Sequence, residues 1–217
     1  MKRGAIILCG GKSSRMGRDK AMLPFGPELM LQRVVRLIAE VVPVENIVVV
    51  AAANQSLPQL PEQIRVARDE IAYRGPLGGI AVGIQALGDC VLDAIYVSGC
   101  DAPLFKPQFA ARLFELMSSR EAVAPYTVEH VYPLVAVYRP TVLPHINRMI
   151  AAGQSRVRDL LNEIDALRVP ADELQCVDPE LLSLFNVNRE DEYLESLRIA
   201  GFEASAGDAV SDAEEVQ

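Results

Sequence analysis

A doubly wound, mostly parallel α/β sheet with helices on both faces is the fold class that this 217-residue sequence predicts, on three observations. Short aliphatic runs alternate with segments of helical periodicity. The runs are nearly continuous in apolar residues, as strands covered on both faces should be. Glycines, cations, carboxylates and amides gather just after several runs, where open α/β sheets bind ligands beyond the strands' carboxyl ends.

The first strand is read at Ala5–Leu8, and Leu31, Val34, Val35 and Ile38 then recur at helical spacing. Strands follow at Ile47–Val50 and Ile64–Ala67. Leu77, Ile80, Ala81 and Ile84 form the apolar stripe of a helix started by Gly75-Pro76. A strand at Ala94–Val97 and a helix through Leu113, Leu116 and Met117 continue the alternation. Val131–Tyr138 reads as a strand that Pro133 places near an edge or at an irregularity. Leu184–Val187 reads as a further strand, and Tyr193, Leu197 and Ala200 as the face of a last helix; Asn188, before it, is either a helix cap or one of the amides of the strand-end site. No repeat or low-complexity linker interrupts residues 1–203, which read as one domain. Residues 204–217 carry acids, Ala, Ser and Gly without apolar periodicity and read as a disordered tail.

Half of the residues are apolar, enough for a substantial core, yet no apolar run approaches the ~18 residues of a membrane span. Lys2 and Arg3 precede too short an apolar stretch for a signal-peptide core, so a soluble, cytoplasmic protein is expected. The net charge of −8 argues against binding driven by nucleic acid or an anionic membrane. Five of those charges, from Glu203 to Glu215, lie at the carboxyl end, so the remainder carries only about −3. Cys9, Cys90, Cys100 and Cys176 lie far apart, and only two histidines accompany them. Buried free thiols are expected rather than disulfides or a structural zinc site.

The chemistry concentrates after the first strand, in Gly10-Gly11-Lys12-Ser13-Ser14-Arg15-Met16-Gly17-Arg18-Asp19-Lys20. Glycines let backbone N–H groups approach phosphate oxygens, and Arg15 and Lys20 neutralise a polyphosphate. The stretch matches neither G-x-x-x-x-G-K-[ST] nor G-x-G-x-x-G. Asp69 follows the third strand, and Asp101, in Ser98-Gly99-Cys100-Asp101-Ala102-Pro103, follows the fourth. Asp101 suits Mg²⁺, which prefers one or two carboxylates with water and substrate phosphates; a turn or cap aspartate is the alternative. Gly78 and Gly79 either admit a nucleotide or let their helix pack closely on the sheet.

Together, LCGGKSSRMGRDK, RDEIAYRGPLGGI, VSGCDAPL and FNVNRED, in that order, resemble the molybdenum cofactor guanylyltransferases over residues 4 to about 198. The resemblance implies the Rossmann-like fold of nucleotidyltransferases. It implies transfer of GMP from GTP to the terminal phosphate of molybdopterin, with release of pyrophosphate. By matching positions, Arg15, Lys20 and Asp101 are the implied catalytic residues, with Asp101 holding Mg²⁺. Leu8, Cys9, Gly10, Gly11, Lys20, Asp69, Gly78, Gly79 and Asp101 are the implied nucleotide site, and Asn186 and Asn188 face the pterin. The implied partners are these two substrates and, transiently, molybdenum-cofactor enzymes or their chaperones. Relatives commonly have Ala where Cys9 stands and Asn-Thr-Pro where Asn188-Arg189-Glu190 stands. They often have an Asn directly after the second strand, where Ala51-Ala52-Ala53 precede Asn54. Arg156 and Arg158 either meet the anionic pterin or form an exposed cationic helix face.

Two other readings compete. A cytidylyltransferase, acting on the same pterin or on a small phosphorylated alcohol or sugar, would use the same loop and Asp101. A catalytically inactive nucleotide-binding adaptor for cofactor insertion would have lost the metal carboxylate or the phosphate lysine, and both are present.

Overall fold

Alternate residues of the first strand point to opposite layers, which is why its apolar run is continuous. In a computed structural model, which describes residues 1–9, 19–70, 75–88 and 90–202, β1 is Arg3–Leu8. Its Ala5 and Ile7 join one core and Ile6 joins the other. The flanking parallel strands β4 (Ile47–Ala52) and β6 (Ala94–Gly99) split in the same way, Val49 and Tyr96 to one side and Val48 and Val97 to the other. Helices α1 (Met30–Ile38) and α3 (Pro107–Leu116) cover the first face; α2 (Gly75–Ala86), α4 (Leu143–Ala151) and α5 (Val157–Glu163) cover the second.

With β5 (Arg65–Asp69), β7 (Ala122–Tyr126), β8 (Ala136–Tyr138) and β9 (Ala166–Pro170), the sheet runs β5-β4-β1-β6-β8-β7-β9. The first four are parallel, β8 is antiparallel to both neighbours, and β7 pairs β9 in parallel. The mostly parallel, doubly wound architecture matches the expectation. A separate hairpin of β2 (Pro24–Phe25) and β3 (Glu28–Leu29), turning at Gly26 with φ +63°, leads into α1 and packs with α6 (Glu190–Ile199) in a third apolar cluster. No helix among the described residues is long and apolar enough to cross a membrane.

One local expectation is narrowed and two are corrected. Of the edge and the irregularity offered for Pro133 in Val131–Tyr138, the structure shows the irregularity: Val131 makes one bridge to Tyr126, Pro133 lies in a turn, and only Ala136–Tyr138 enters the sheet, in its interior. The proline's missing N–H is thereby kept out of the ladder. Leu184–Val187 is not a strand. A single 3₁₀ turn at Leu182–Leu184 ends there, and the chain then crosses the turn after β6, with Val187 N–H donating to the Asp101 carbonyl at 2.8 Å. The strand read at Ile64–Ala67 lies one residue later and is covered only partly, with Val66 46% exposed, because β5 is the sheet's edge. β7 and β9 escape periodicity because each is short and contains a proline. Pro125 turns its carbonyl toward Tyr132 N–H, at 2.9 Å, where pairing with β8 has already ended at Val123.

The close seat of α2 on β1 depends on two glycines one turn apart. A Cβ at Gly83 would lie 2.7 Å from Ile6 Cγ1 and Cδ1, and one at Gly79 would lie 2.9 Å from Leu8 Cδ2. Ile6 is fully buried, so Gly83→Ala is expected to strain the layer by ~1–3 kcal/mol, against ~1 kcal/mol gained in helix propensity. A lower denaturant midpoint at unchanged slope is the expected result; an unchanged or higher midpoint would show that the layer yields freely.

Candidate active site

Three parallel strands end flush at one edge, and two short backbone bonds hold them there. Cys9 N–H donates to the Val50 carbonyl at 2.8 Å and Cys100 N–H to the Leu8 carbonyl at 3.0 Å, continuing the Leu8 and Gly99 register. The turn after β6 therefore starts beside the residue that follows β1, and Asp101 sits over that edge.

Lys20 arrives there by a local device. Asp19 caps a 3₁₀ turn, Lys20–Met22, its Oδ1 accepting from Ala21 N–H at 3.0 Å, and Ala21 is buried in the core with α1. With its neighbours so fixed, Lys20 extends Nζ to Asp101 Oδ2 at 3.0 Å and to Asn188 Oδ1 at 2.9 Å. The Lys20 and Asp101 side chains are 18% and 23% exposed, shielded but open to a solute.

Asp101 is held from behind by an absence. A Cβ at Gly99 would land on Asp101 Oδ1, so only glycine leaves the carboxylate its place. Asn188 is set by the next helix: Glu192 accepts from Asn188 N–H at 2.6 Å and from Arg189 N–H at 3.0 Å. That carboxylate, in the first turn of α6, supplies the cap in place of Asn188, whose side chain is thereby left to meet Lys20.

The remaining candidates divide. Cys9 is buried, with its carbonyl at the edge accepting from Gln55 Nε2 at 3.0 Å. Leu8 is partly buried against the second core, and Gly79 faces it, so Gly79 serves the helix–sheet contact. Gly78 is buried in α2. Asp69 ends β5 at the same edge, partly exposed and paired in register with Ala52. Asn186 is partly exposed, and its carbonyl lies 3.5 Å from Asn188 Nδ2. Arg156, the residue before α5, and Arg158 in its first turn are exposed. Gly10, Gly11 and Arg15, and the acidic tail from residue 204, lie outside the described residues. Among the described residues no group of three or more His, Cys, Asp or Glu is placed to hold a metal. Asp19, Gln55 and Gly99 were not singled out by the sequence; the adjacency of Asp19 to Lys20 and of Gly99 to Asp101 was the available signal, and Gln55 had none.

The thiols also separate. Cys9 and Cys100 are buried as expected, whereas Cys90 is partly exposed, and Cys176, in a loop where it donates to the Glu173 carbonyl, is exposed. Hydrogen bonding to Cys100, then burial, pushes the Cys9 thiol well above its ordinary value, with the charges of Asp19 and Asp101 adding to the shift.

Nucleotidyltransferases are the class of enzyme to which this chain and its fold belong. Residues 5–169 match the MobA-like NTP transferase domain, and the chain belongs to that family. It is 34% identical over 194 residues to a probable molybdenum cofactor guanylyltransferase of Mycobacterium avium, covering 88% of this chain and 92% of that protein. A protein of the same name from Methanothermobacter thermautotrophicus is 32% identical over 195 residues, covering 86% and 94%. The crystal structure of molybdopterin-guanine dinucleotide biosynthesis protein A from Archaeoglobus fulgidus shares the fold at TM-score 0.74 and 19% identity, over 91% of this chain and 98% of that one.

A raised pKa keeps Cys9 protonated at neutral pH, and the thiolate is the reactive form. Iodoacetamide at about pH 7.5 is therefore expected to label Cys176 well before Cys9 or Cys100, read by peptide mapping. Early labelling of Cys9 would contradict the burial and bonding described.

Proposed function

We propose that this enzyme transfers GMP from GTP to the terminal phosphate of molybdopterin. The observation that carries the reading is the meeting of Lys20, Asp101 and Asn188 at the carboxyl edge, in a chain whose curated relatives are named for this transfer. A phosphate oxygen of the acceptor attacks the α-phosphorus of GTP. A new P–O bond forms there as the bond to the bridging α,β-oxygen breaks, and pyrophosphate departs with that oxygen. An acceptor phosphate already ionised at neutral pH needs no general base, so positioning and charge neutralisation carry the step.

The residues take roles by position. The backbone at Leu8, Cys9, Gly10 and Gly11 runs along the nucleotide, with Gly78 and Asp69 flanking it. Arg15 and Lys20 meet the triphosphate and the departing pyrophosphate, and Asn186 and Asn188 form the lip where the pterin enters. Asp101 fits a divalent ion as a single ligand: Lys20 engages Oδ2, and among the described residues Oδ1 accepts no hydrogen bond. Mg²⁺ held there, with its remaining ligands from phosphates and water, supplies further neutralisation of the triphosphate. No all-protein cage is needed for such an ion.

The test is incubation with Mg²⁺, molybdopterin and equal GTP, CTP and ATP, with the pterin dinucleotide identified by mass spectrometry. A guanine product is expected. A cytosine product would overturn the base assignment, and no product would overturn the transfer reading. Lys20→Ala is expected to lower turnover by about 10²–10³-fold and Asp101→Ala to abolish it, each with an unchanged circular dichroism spectrum. Full activity in either variant would remove that residue from the mechanism.

A further inference from the structure

Gln55 lies in the connection after β4, with no charge of its own, yet its amide joins three separate parts of the site edge. Its Oε1 accepts from Ala52 N–H at 3.2 Å, which fixes the orientation of the amide and turns the NH₂ group the other way. Nε2 then donates to the Cys9 carbonyl at 3.0 Å and to both oxygens of Asp19, at 3.0 and 2.9 Å. An NH₂ group has two hydrogens: one meets the carbonyl and the other is shared by the carboxylate. The backbone beneath is itself anchored, because Arg68 Nη1 donates to the Ala52 carbonyl at 3.1 Å and to the Gln55 carbonyl at 2.7 Å.

The consequence reaches Lys20. Asp19 accepts from Gln55 and from Ala21 N–H, so the carboxylate that starts the 3₁₀ turn is tied to the ends of β1 and β4 before Lys20 leaves the turn toward Asp101. We infer that Gln55 is a positioning residue: it fixes Asp19 against the sheet edge and so sets where the Lys20 ammonium meets a triphosphate. This rests on the transfer reading above for its chemical outcome, while the clasp itself is independent of that reading. A displacement of even an ångström in a charge-stabilising group is costly in turnover, so the clasp acts on the chemistry without touching substrate.

The discriminating variant is Gln55→Glu, which keeps size and shape and replaces the donating amide with a carboxyl facing Asp19. Two carboxylates in that position cannot both ionise freely, so the introduced group's pKa rises. Among the described residues the other titratable or charged groups nearby are Lys20 on the 3₁₀ turn, Glu62 in the connection after β4, Arg68 and Asp69 on β5, Asp101 and Cys100 after β6, and the Cys9 thiol at the end of β1. Below the raised value the introduced carboxyl is neutral and its single O–H donates a hydrogen bond to Asp19, restoring that arm of the clasp while the Cys9 carbonyl loses its donor; above it, the two charges repel. The expected result is a kcat at about pH 8 reduced about tenfold or more, recovering as the pH falls toward about 6, on a limb that the wild-type profile lacks. Gln55→Glu with Asp19→Asn reverses the polarity of the bond and is expected to recover turnover at the higher pH.

Thermal stability of the wild type, both single variants and the double variant, measured at both pH values, reads the clasp without any substrate. Non-additive rescue of Tm in the double variant, together with the acid-side recovery of the single one, supports the inference. Additive, pH-independent losses overturn it by reducing Gln55 to a space-filling residue. An unchanged kcat profile beside a rescued Tm also overturns it, since the clasp would then not set Lys20. A wild-type protein that makes no pterin dinucleotide fails the transfer reading alone, and the stability cycle still decides the clasp.

Discussion

The ammonium of Lys20 lies between a carboxylate 81 residues and an amide 168 residues further along the chain, and the layout of the sheet edge follows from holding those three groups together. A parallel sheet suits this. Its strands all deliver their carboxyl ends to one side, so β1 and β6, adjacent in register, place the residues that follow them within reach of each other. Lys20 comes from the β1 side, Asp101 from the β6 side, and Asn188 from a segment that crosses over both.

Each member is supported by contacts that belong to packing. The crossing segment is fastened at Val187 to the Asp101 carbonyl. Further back, Ser183 N–H donates to Asp178 Oδ2 at 2.8 Å and Ser183 Oγ accepts from Lys106 N–H at 3.0 Å. The turn that carries Asp101 is braced from α1, where Arg33 Nε donates to the Pro103 carbonyl at 2.7 Å while its guanidinium lies 4.8 Å from the centre of the Phe25 ring. Burial lowers the pKa of Arg33, the charge of Glu28 opposing that shift, and the guanidinium stays charged throughout the accessible range. The same arginine thus ties the hairpin, α1 and the turn that carries Asp101 into one unit.

The central elements were legible because they obey periodicities that burial on two faces imposes. Ala5–Leu8, Ile47–Val50 and Ala94–Val97 are continuous because each strand feeds both cores, and the stripes of α1 and α3 follow their buried faces, while α2, between the sheet and α4, is buried over most of its surface. The antiparallel end was not legible: β7 and β9 contain prolines whose tolerance depends on which neighbour has stopped pairing, a tertiary fact. Likewise the apolar residues of Leu184–Val187 look like a strand, although Phe185 and Val187 pack with the hairpin and α6 and Leu184 against the first core. At the site, Lys20 and Asp101 stand out as charges placed just beyond apolar runs. Gln55 does not, because a neutral amide in a polar connection acquires meaning only from the groups that surround it.

The exposure of the central pair bears on how a ligand would use it. The pair is shielded, yet 18% and 23% of its two side chains stay open to solvent, so a new partner can reach both groups. Its positions, however, are held by contacts that do not depend on the pair: Gln55 and Ala21 place Lys20 through Asp19 and the 3₁₀ turn, a bond from Val187 places Asp101 where Gly99 leaves it room, and Glu192 places Asn188. In the proposed reaction an arriving triphosphate competes for the Lys20 ammonium while a cation competes for the carboxylate. Neither exchange requires the backbone to move. The accessibility of the contact and the firmness of its supports are therefore complementary: the groups stay aimed at the edge whether they face each other or a substrate.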